Sequence, residues 1–177
     1  DNFINMRWAP LLMIILVFVF TTVTHMGVIP SVITILGTWL TTSMSAQCVG
    51  QSGINPMEIF GIIILIAAKA VTDMGQTEAF FVAAVVAVAC GLVGDVMNDF
   101  KVGHILHTDP KAQWIGEVVG GMVGGIVSVL ILFVILKAYG PEAFGSEMFP
   151  AAQASAVAAM VGGISNMTAF IIGLIAA

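Results

Sequence analysis

Two carboxylates, Asp95 and Asp99, lie at the end of a long apolar stretch, and Lys101 follows closely. Their spacing of four residues places both carboxylates on one face of a helix. A carboxylate in an apolar span is costly unless it faces protein, water or a counter-charge. We predict that Asp95, Asp99 and Lys101 interact and that one carboxyl exchanges a proton, because a neighbouring like charge raises a carboxyl pKa. A helix-end anchor with Lys101 as counter-charge explains the same residues, and a metal site between the carboxylates is a further alternative.

A second polar stretch, residues 47–61, separates two apolar runs. Asn55 followed by Pro56 predicts a helix start, with Asn as the cap and Pro in the first turn, and Glu58 follows where the helix dipole favours a negative charge. The stretch is either a capped helix start in a loop or a broken helix at a binding site, which transporters build from short segments interrupted by Gly and Pro. The next apolar run is short and favours the second interpretation. We therefore predict that Gln51, Asn55 and Glu58 contact a substrate.

The elements that position these residues must lie in lipid. Hydrophobic residues make up 59% of the 177 residues and charged residues only 8%, and the mean hydropathy is +1.09. A soluble domain carries about 25% charged residues. The apolar runs are continuous, which predicts an all-α polytopic helical bundle with about six transmembrane segments, the third short or broken. The predicted segments are Ala9–Ile29, Ser31–Ala46, Met57–Val71, Thr77–Met97, Trp114–Tyr139 and Ala151–Ala177.

Charge placement predicts the orientation of the bundle. The polar loop predicted at residues 98–113 contains Lys101 and Lys111, and the positive-inside rule places it in the cytoplasm. We therefore expect a multi-pass protein of the cell membrane, either a bacterial inner membrane or a plasma membrane. Gly116, Gly120 and Gly124 recur every four residues in the fifth run, a spacing that lets helices pack closely in lipid.

Several functions are disfavoured by composition. The net charge of −5 comes from scattered acids, which gives no indication of nucleic-acid binding. Cys48 and Cys90 are isolated, so neither a metal site nor a disulfide framework is expected, and no cofactor motif is present. The chain begins with Asp1 and ends in an apolar run. We expect residues 1–177 to be part of a single transmembrane domain, with the remaining half of the protein and membrane lipid as partners.

Two segments resemble the oligopeptide transporter superfamily. Residues 50–59, Gly-Gln-Ser-Gly-Ile-Asn-Pro-Met-Glu-Ile, resemble the Gly-x-(Thr/Ser)-Gly-x-Asn-Pro segment of its prokaryotic members. Residues 95–113 resemble its Asp-x-x-x-Asp-x-Lys-x-Gly segment and the Pro-(Arg/Lys)-x-Gln that follows, although Val102 replaces the commoner Thr and His107 stands where Gly is common. The resemblance implies a secondary active transporter and not an enzyme. It implies that the substrates are small peptides or, in the yellow stripe-like branch, metal chelates, usually driven by protons.

The main alternative is an integral-membrane metal-dependent phosphotransferase. The pattern Gly91-x-x-x-Asp95-x-x-x-Asp99 has the form of half of the aspartate motif in enzymes that handle CDP-alcohols. Such enzymes hold metal ions between carboxylates and need a second aspartate cluster on another helix. The sequence contains no such second cluster, so a transporter is the preferred interpretation.

Overall fold

The computed structural model describes residues 8–152, 154, 155 and 158. Five α-helices follow one another along the chain, and a short 3₁₀ turn at Pro141–Ala143 comes after the last. The helices are α1 (Ala9–Thr24), α2 (Val28–Ser52), α3 (Met57–Val71), α4 (Gln76–Ile105) and α5 (Pro110–Tyr139). The described part contains no β-strand beyond one isolated bridge between Phe144 and Phe149. The all-α prediction is therefore confirmed for these residues.

Three of the helices, α2, α4 and α5, are long and apolar enough to cross a membrane. Helix α1 has 16 residues and α3 has 15. At about 1.5 Å per residue, α3 is shorter than the roughly 30 Å of a bilayer core. The third segment is short, as predicted, and its bounds agree with the prediction. The predicted count of six segments is not established, because most of the sixth, residues 151–177, lies outside the described residues.

Helices α2, α3 and α4 pack against one another and form the core of the described structure. Buried residues recur every three or four positions along α4, at Ala79, Val82, Ala83, Val86 and Cys90, which gives that helix one continuous packed face. Helix α3 approaches this face closely at Gly61, where an added Cβ would lie 3.0 Å from the backbone oxygen of Ala83. Because the residues at this crossing are small, α3 packs closely on α4, and the segment before α3 lies next to the middle of α4.

The outer helices have few packing partners within the described residues. Helix α1 packs against α2. Helix α5 touches α4 but has no buried residue. Its exposed apolar surface must face lipid or other protein, because a water-soluble protein does not expose apolar patches of this size.

Several predicted boundaries are wrong. The second segment, predicted at Ser31–Ala46, is helix α2 at Val28–Ser52. The first segment ends at Thr24 and not at Ile29, because His25 takes a left-handed conformation (φ 56°), and Pro30 lies in the first turn of α2, where its missing N–H breaks no hydrogen bond. The predicted loop at residues 98–113 is mostly helical, since α4 continues to Ile105 and α5 begins at Pro110. The polar side chains after residue 97 are compatible with a helix, and no helix-breaking proline occurs before residue 110.

Candidate functional site

The chain breaks between α2 and α3 at residues 53–56. Gly53 ends α2 in a left-handed conformation (φ 71°), and its N–H donates to the carbonyl oxygen of Val49 at 2.9 Å. Glycine suits this position because any Cβ is strained at positive φ. Residue Pro56 is the N-cap of α3, and no side chain caps that helix. The predicted interruption is present, but the prediction that Asn55 caps the helix is wrong.

The Asn55 side chain bonds to the two neighbouring helices. Its Oδ1 accepts a hydrogen bond from the Ser45 hydroxyl of α2 at 2.6 Å. Its Nδ2 donates to the backbone carbonyl of Cys90 in α4 at 2.8 Å. The Ser45 hydroxyl also lies 3.2 Å from the same carbonyl oxygen. Asn55 thus ties the break to both helices instead of capping α3.

A groove of about 550 Å³ lies beside this break, between α3 and α4. Small and apolar residues form most of its wall. Glu58, from the first turn of α3, and Asp95, from α4, both line it. The structure therefore brings together two residues to which the sequence assigned separate roles. The lining comprises Met57, Glu58, Gly61, Phe80, Ala83, Ala84, Ala87, Val88, Gly91, Leu92, Asp95 and Ala154.

The other two predicted substrate contacts do not line this groove. Gln51 is exposed in the last turn of α2. Asn55 is half-buried, and both of its polar side-chain atoms are hydrogen-bonded to protein. Of the three residues predicted to contact a substrate, Glu58 alone faces the groove.

The predicted acidic cluster has a further neighbour on α5. Asp95 and Asp99 lie on one face of α4, one turn apart, as their spacing predicted. Asp99 and Glu117 of α5 interact electrostatically across the α4–α5 contact, and both line a second cavity of about 440 Å³. Because α4 is helical through this segment, Lys101 lies on a different side of the helix from Asp99. Asp99 therefore has a second carboxyl group as a neighbour, and the interaction of Lys101 with one of the carboxylates of α4 stays a prediction.

Sequence reasoning missed three residues at these contacts. Ser45 and Gly94 contact Asn55, and Glu117 contacts Asp99. Glu117 lies about two turns into α5, which begins at Pro110. The available signals for the other two were a serine within a hydrophobic span and a glycine directly before the first aspartate.

The described residues contain no group of three or more His, Cys, Asp or Glu that could hold a metal ion. The phosphotransferase alternative required a second aspartate cluster on another helix, and the structure offers no specific observation in its favour.

A family model described as "OPT oligopeptide transporter protein" matches residues 4–177, nearly the whole chain. The chain belongs to the oligopeptide transporter family. The resemblance in residues 50–59 and 95–113 is thereby confirmed. As a member of this family with three long apolar helices, the chain is an integral membrane protein of a transporter family.

Two curated relatives are metal-chelate transporters by their names. A probable metal-nicotianamine transporter of Oryza sativa subsp. japonica, YSL16, is 41% identical over 59 residues. The metal-nicotianamine transporter YSL2 of Arabidopsis thaliana is 33% identical over 59 residues. Each match covers 29% of this oligopeptide transporter family member and 9% of the relative. The matched part is therefore a small fraction of the length of either relative. No solved structure matches the chain.

Proposed function

We propose that the chain is part of a single transmembrane domain of a secondary active transporter in the cell membrane. The transporter moves small peptides or metal-chelate complexes and is coupled to protons. Family membership supports transport of one of these two substrate classes. The two partial relatives named as metal-nicotianamine transporters favour the chelates.

The observation that carries the proposal is the groove beside the helix break. Transporters place substrates at discontinuous helices, where irregular backbone lines a cavity. Here the break at residues 53–56 leads into α3, and Glu58 and Asp95 line the adjoining groove. Two carboxylates in a mostly apolar groove suit a substrate that carries a cationic group, such as the ammonium of a peptide or of a chelator. Glu58 binds that cationic group. The exposed Gln51 lies outside the groove and contacts the substrate only while the substrate enters the groove.

Proton coupling is assigned to the carboxylates of α4 and their neighbours. Asp99 and Glu117 line the same cavity at the α4–α5 contact, and two carboxyl groups placed this close favour a shared proton that the transport cycle can release. Asp95 lies one turn from Asp99 and also lines the groove. It can therefore link proton release to substrate occupancy. Lys101, on another side of α4, contributes the nearest positive charge along that helix.

The test is uptake by the full-length protein reconstituted into proteoliposomes. Labelled tripeptides and tetrapeptides form one arm, and iron and zinc nicotianamine complexes form the other. Each is measured with an imposed pH gradient and with none. We expect saturable uptake of one substrate class that rises when the outside is made more acidic. Uptake of neither class above that of protein-free vesicles would refute the proposed function, and uptake indifferent to the gradient would refute the coupling.

A further inference from the structure

The Asn55 side chain uses both of its polar atoms to join α2 and α4. Asn55 Oδ1 accepts from Ser45 at 2.6 Å, and Asn55 Nδ2 donates to the Cys90 carbonyl at 2.8 Å. Ser45 is completely buried, and Cys90 is too. An unmade hydrogen bond at a buried group is strongly unfavourable, and more so where no water is available to replace it. The contact is therefore expected to persist once it has formed.

Gly94 makes this contact possible. It lies four residues after Cys90 in α4, and a helical side chain covers the turn on the N-terminal side of its own Cα. A side chain at position 94 would therefore cover the Cys90 carbonyl. The structure agrees, since a Cβ added to Gly94 would overlap the Asn55 amide nitrogen. The missing side chain leaves the carbonyl open to a donor from outside α4.

We infer that Ser45, Asn55, Gly94 and the Cys90 carbonyl form a polar lock that fixes the start of α3 against α2 and α4 and so holds Glu58 at the groove. Asn55 is then a positioning residue for Glu58 and not a substrate ligand. Both of its polar groups are already used by protein. Glu58 follows three residues later, in the first turn of α3, which has no side-chain cap of its own to fix it. The role of the lock in transport rests on the proposed function, whereas its existence does not.

The existence of the lock is tested by a double-mutant cycle on thermal unfolding of the purified full-length protein. Gly94→Ala should lower the Tm, by about 2 °C or more, because the new methyl group displaces the Asn55 amide. In an Asn55→Ala background the methyl group meets no amide, so Gly94→Ala should change the Tm little. Gly50→Ala is the matched control, because an added Cβ there meets nothing within 4 Å. Equal losses from Gly94→Ala in both backgrounds would refute the lock.

Chemical labelling reports how accessible residue 58 is, and it needs no transport measurement. Glu58→Cys is placed in a full-length protein whose native cysteines are replaced by alanine, and its reaction rate with a water-soluble maleimide is measured in detergent. Adding Asn55→Ala or Ser45→Ala should raise that rate several-fold, because the start of α3 is released from α4. Ser43→Ala should not, since Ser43 is exposed and bonds only to its own helix, at the Trp39 carbonyl. An unchanged rate in both lock variants would show that the contact does not position Glu58.

Measurements of uptake then show whether Asn55 positions Glu58 or binds the substrate itself. If Asn55 acts through Glu58, Asn55→Ala should raise the KM of uptake several-fold in the native background and have little further effect beside Glu58→Gln. Ser45→Thr, which keeps the hydroxyl, should retain most of the native KM. Independent, multiplicative effects of Asn55→Ala and Glu58→Gln would identify Asn55 as a substrate ligand and overturn the inference. If the unmodified protein transports neither substrate class, the proposed function fails, and the thermal and labelling experiments still decide whether the lock exists.

Discussion

At the scale of the residue, Glu58 is the carboxylate whose role in binding is most directly tested. Glu58→Gln keeps the shape of the side chain and removes its charge. If the carboxylate binds a cationic group of the substrate, the KM of uptake should rise about tenfold or more, the expected effect of losing a charge-assisted hydrogen bond. Initial rates over a range of substrate concentrations measure this. Glu142→Gln, in the exposed 3₁₀ turn after α5, serves as the control. An unchanged KM would leave the start of α3 with a structural role only.

Asp95 distinguishes a proton relay from a helix anchor. As a relay it exchanges a proton in each cycle, so Asp95→Asn should abolish the response of uptake to a pH gradient while exchange of substrate at equilibrium persists. Glu117→Gln should act similarly, because it replaces a carboxyl group beside Asp99 with an amide that cannot exchange a proton. As an anchor, Asp95 would affect expression or stability and leave the pH response intact. Driven uptake and exchange are measured in the same vesicles, and a normal gradient response in Asp95→Asn would exclude the relay.

Residue spacing predicted one part of this site and could not predict another. Asp95 and Asp99 share a face because helical periodicity is a local property that four residues reveal. The partner of Asp99 is Glu117, eighteen positions along the chain on another helix, and only the packing of α5 on α4 determines that contact. The same holds for Ser45, which is ten residues from Asn55 and meets it because α2 and α3 fold back on one another.

At the scale of the element, the break before α3 depends on Gly53. Its φ of 71° lies in the left-handed region, where a side chain costs about 1–2 kcal/mol. Gly53→Ala should therefore lower the Tm and weaken uptake by disturbing the end of α2. Gly50→Ala, three residues earlier within the helix, should be neutral or slightly stabilising, because alanine is the better helix former. Thermal unfolding of both variants measures the difference, and equal effects would show that the left-handed turn is not needed.

The sequence predicted the short α3 correctly but misjudged the length of α4. Glycine, Asn-Pro and a short apolar run are strong local signals for an interruption, and the structure breaks the chain at residues 53–56. The charges after residue 97 were interpreted as a loop because they end the apolar run. A helix can continue beyond the hydrocarbon core, where its polar side chains meet water or headgroups, and α4 does so to Ile105. Polarity marks the end of a membrane span and not the end of a helix.

At the scale of the whole molecule, the packing of the described residues is uneven. Helices α2, α3 and α4 bury a shared core, whereas α5 buries no residue. An added Cβ at Gly116, Gly120 or Gly124 would meet nothing within 4 Å among the described atoms. The glycines therefore have no packing role within this part of the chain. If they serve close helix contact, as their spacing suggests, protein outside the described residues must cover them.

Bulky substitutions along α5 test whether that surface is covered in the complete transporter. A leucine at a glycine in a tight helix–helix contact forces the helices apart, whereas a leucine facing lipid is tolerated. Gly120→Leu and Gly124→Leu in the full-length protein should therefore lower the Tm and the uptake rate. Val118→Leu adds bulk on a different side of α5 from Gly120, and its effect should be small. If both glycine variants unfold and transport as the unmodified protein does, this face of α5 contacts lipid. The predicted contact with the remaining half of the protein must then lie elsewhere on the molecule.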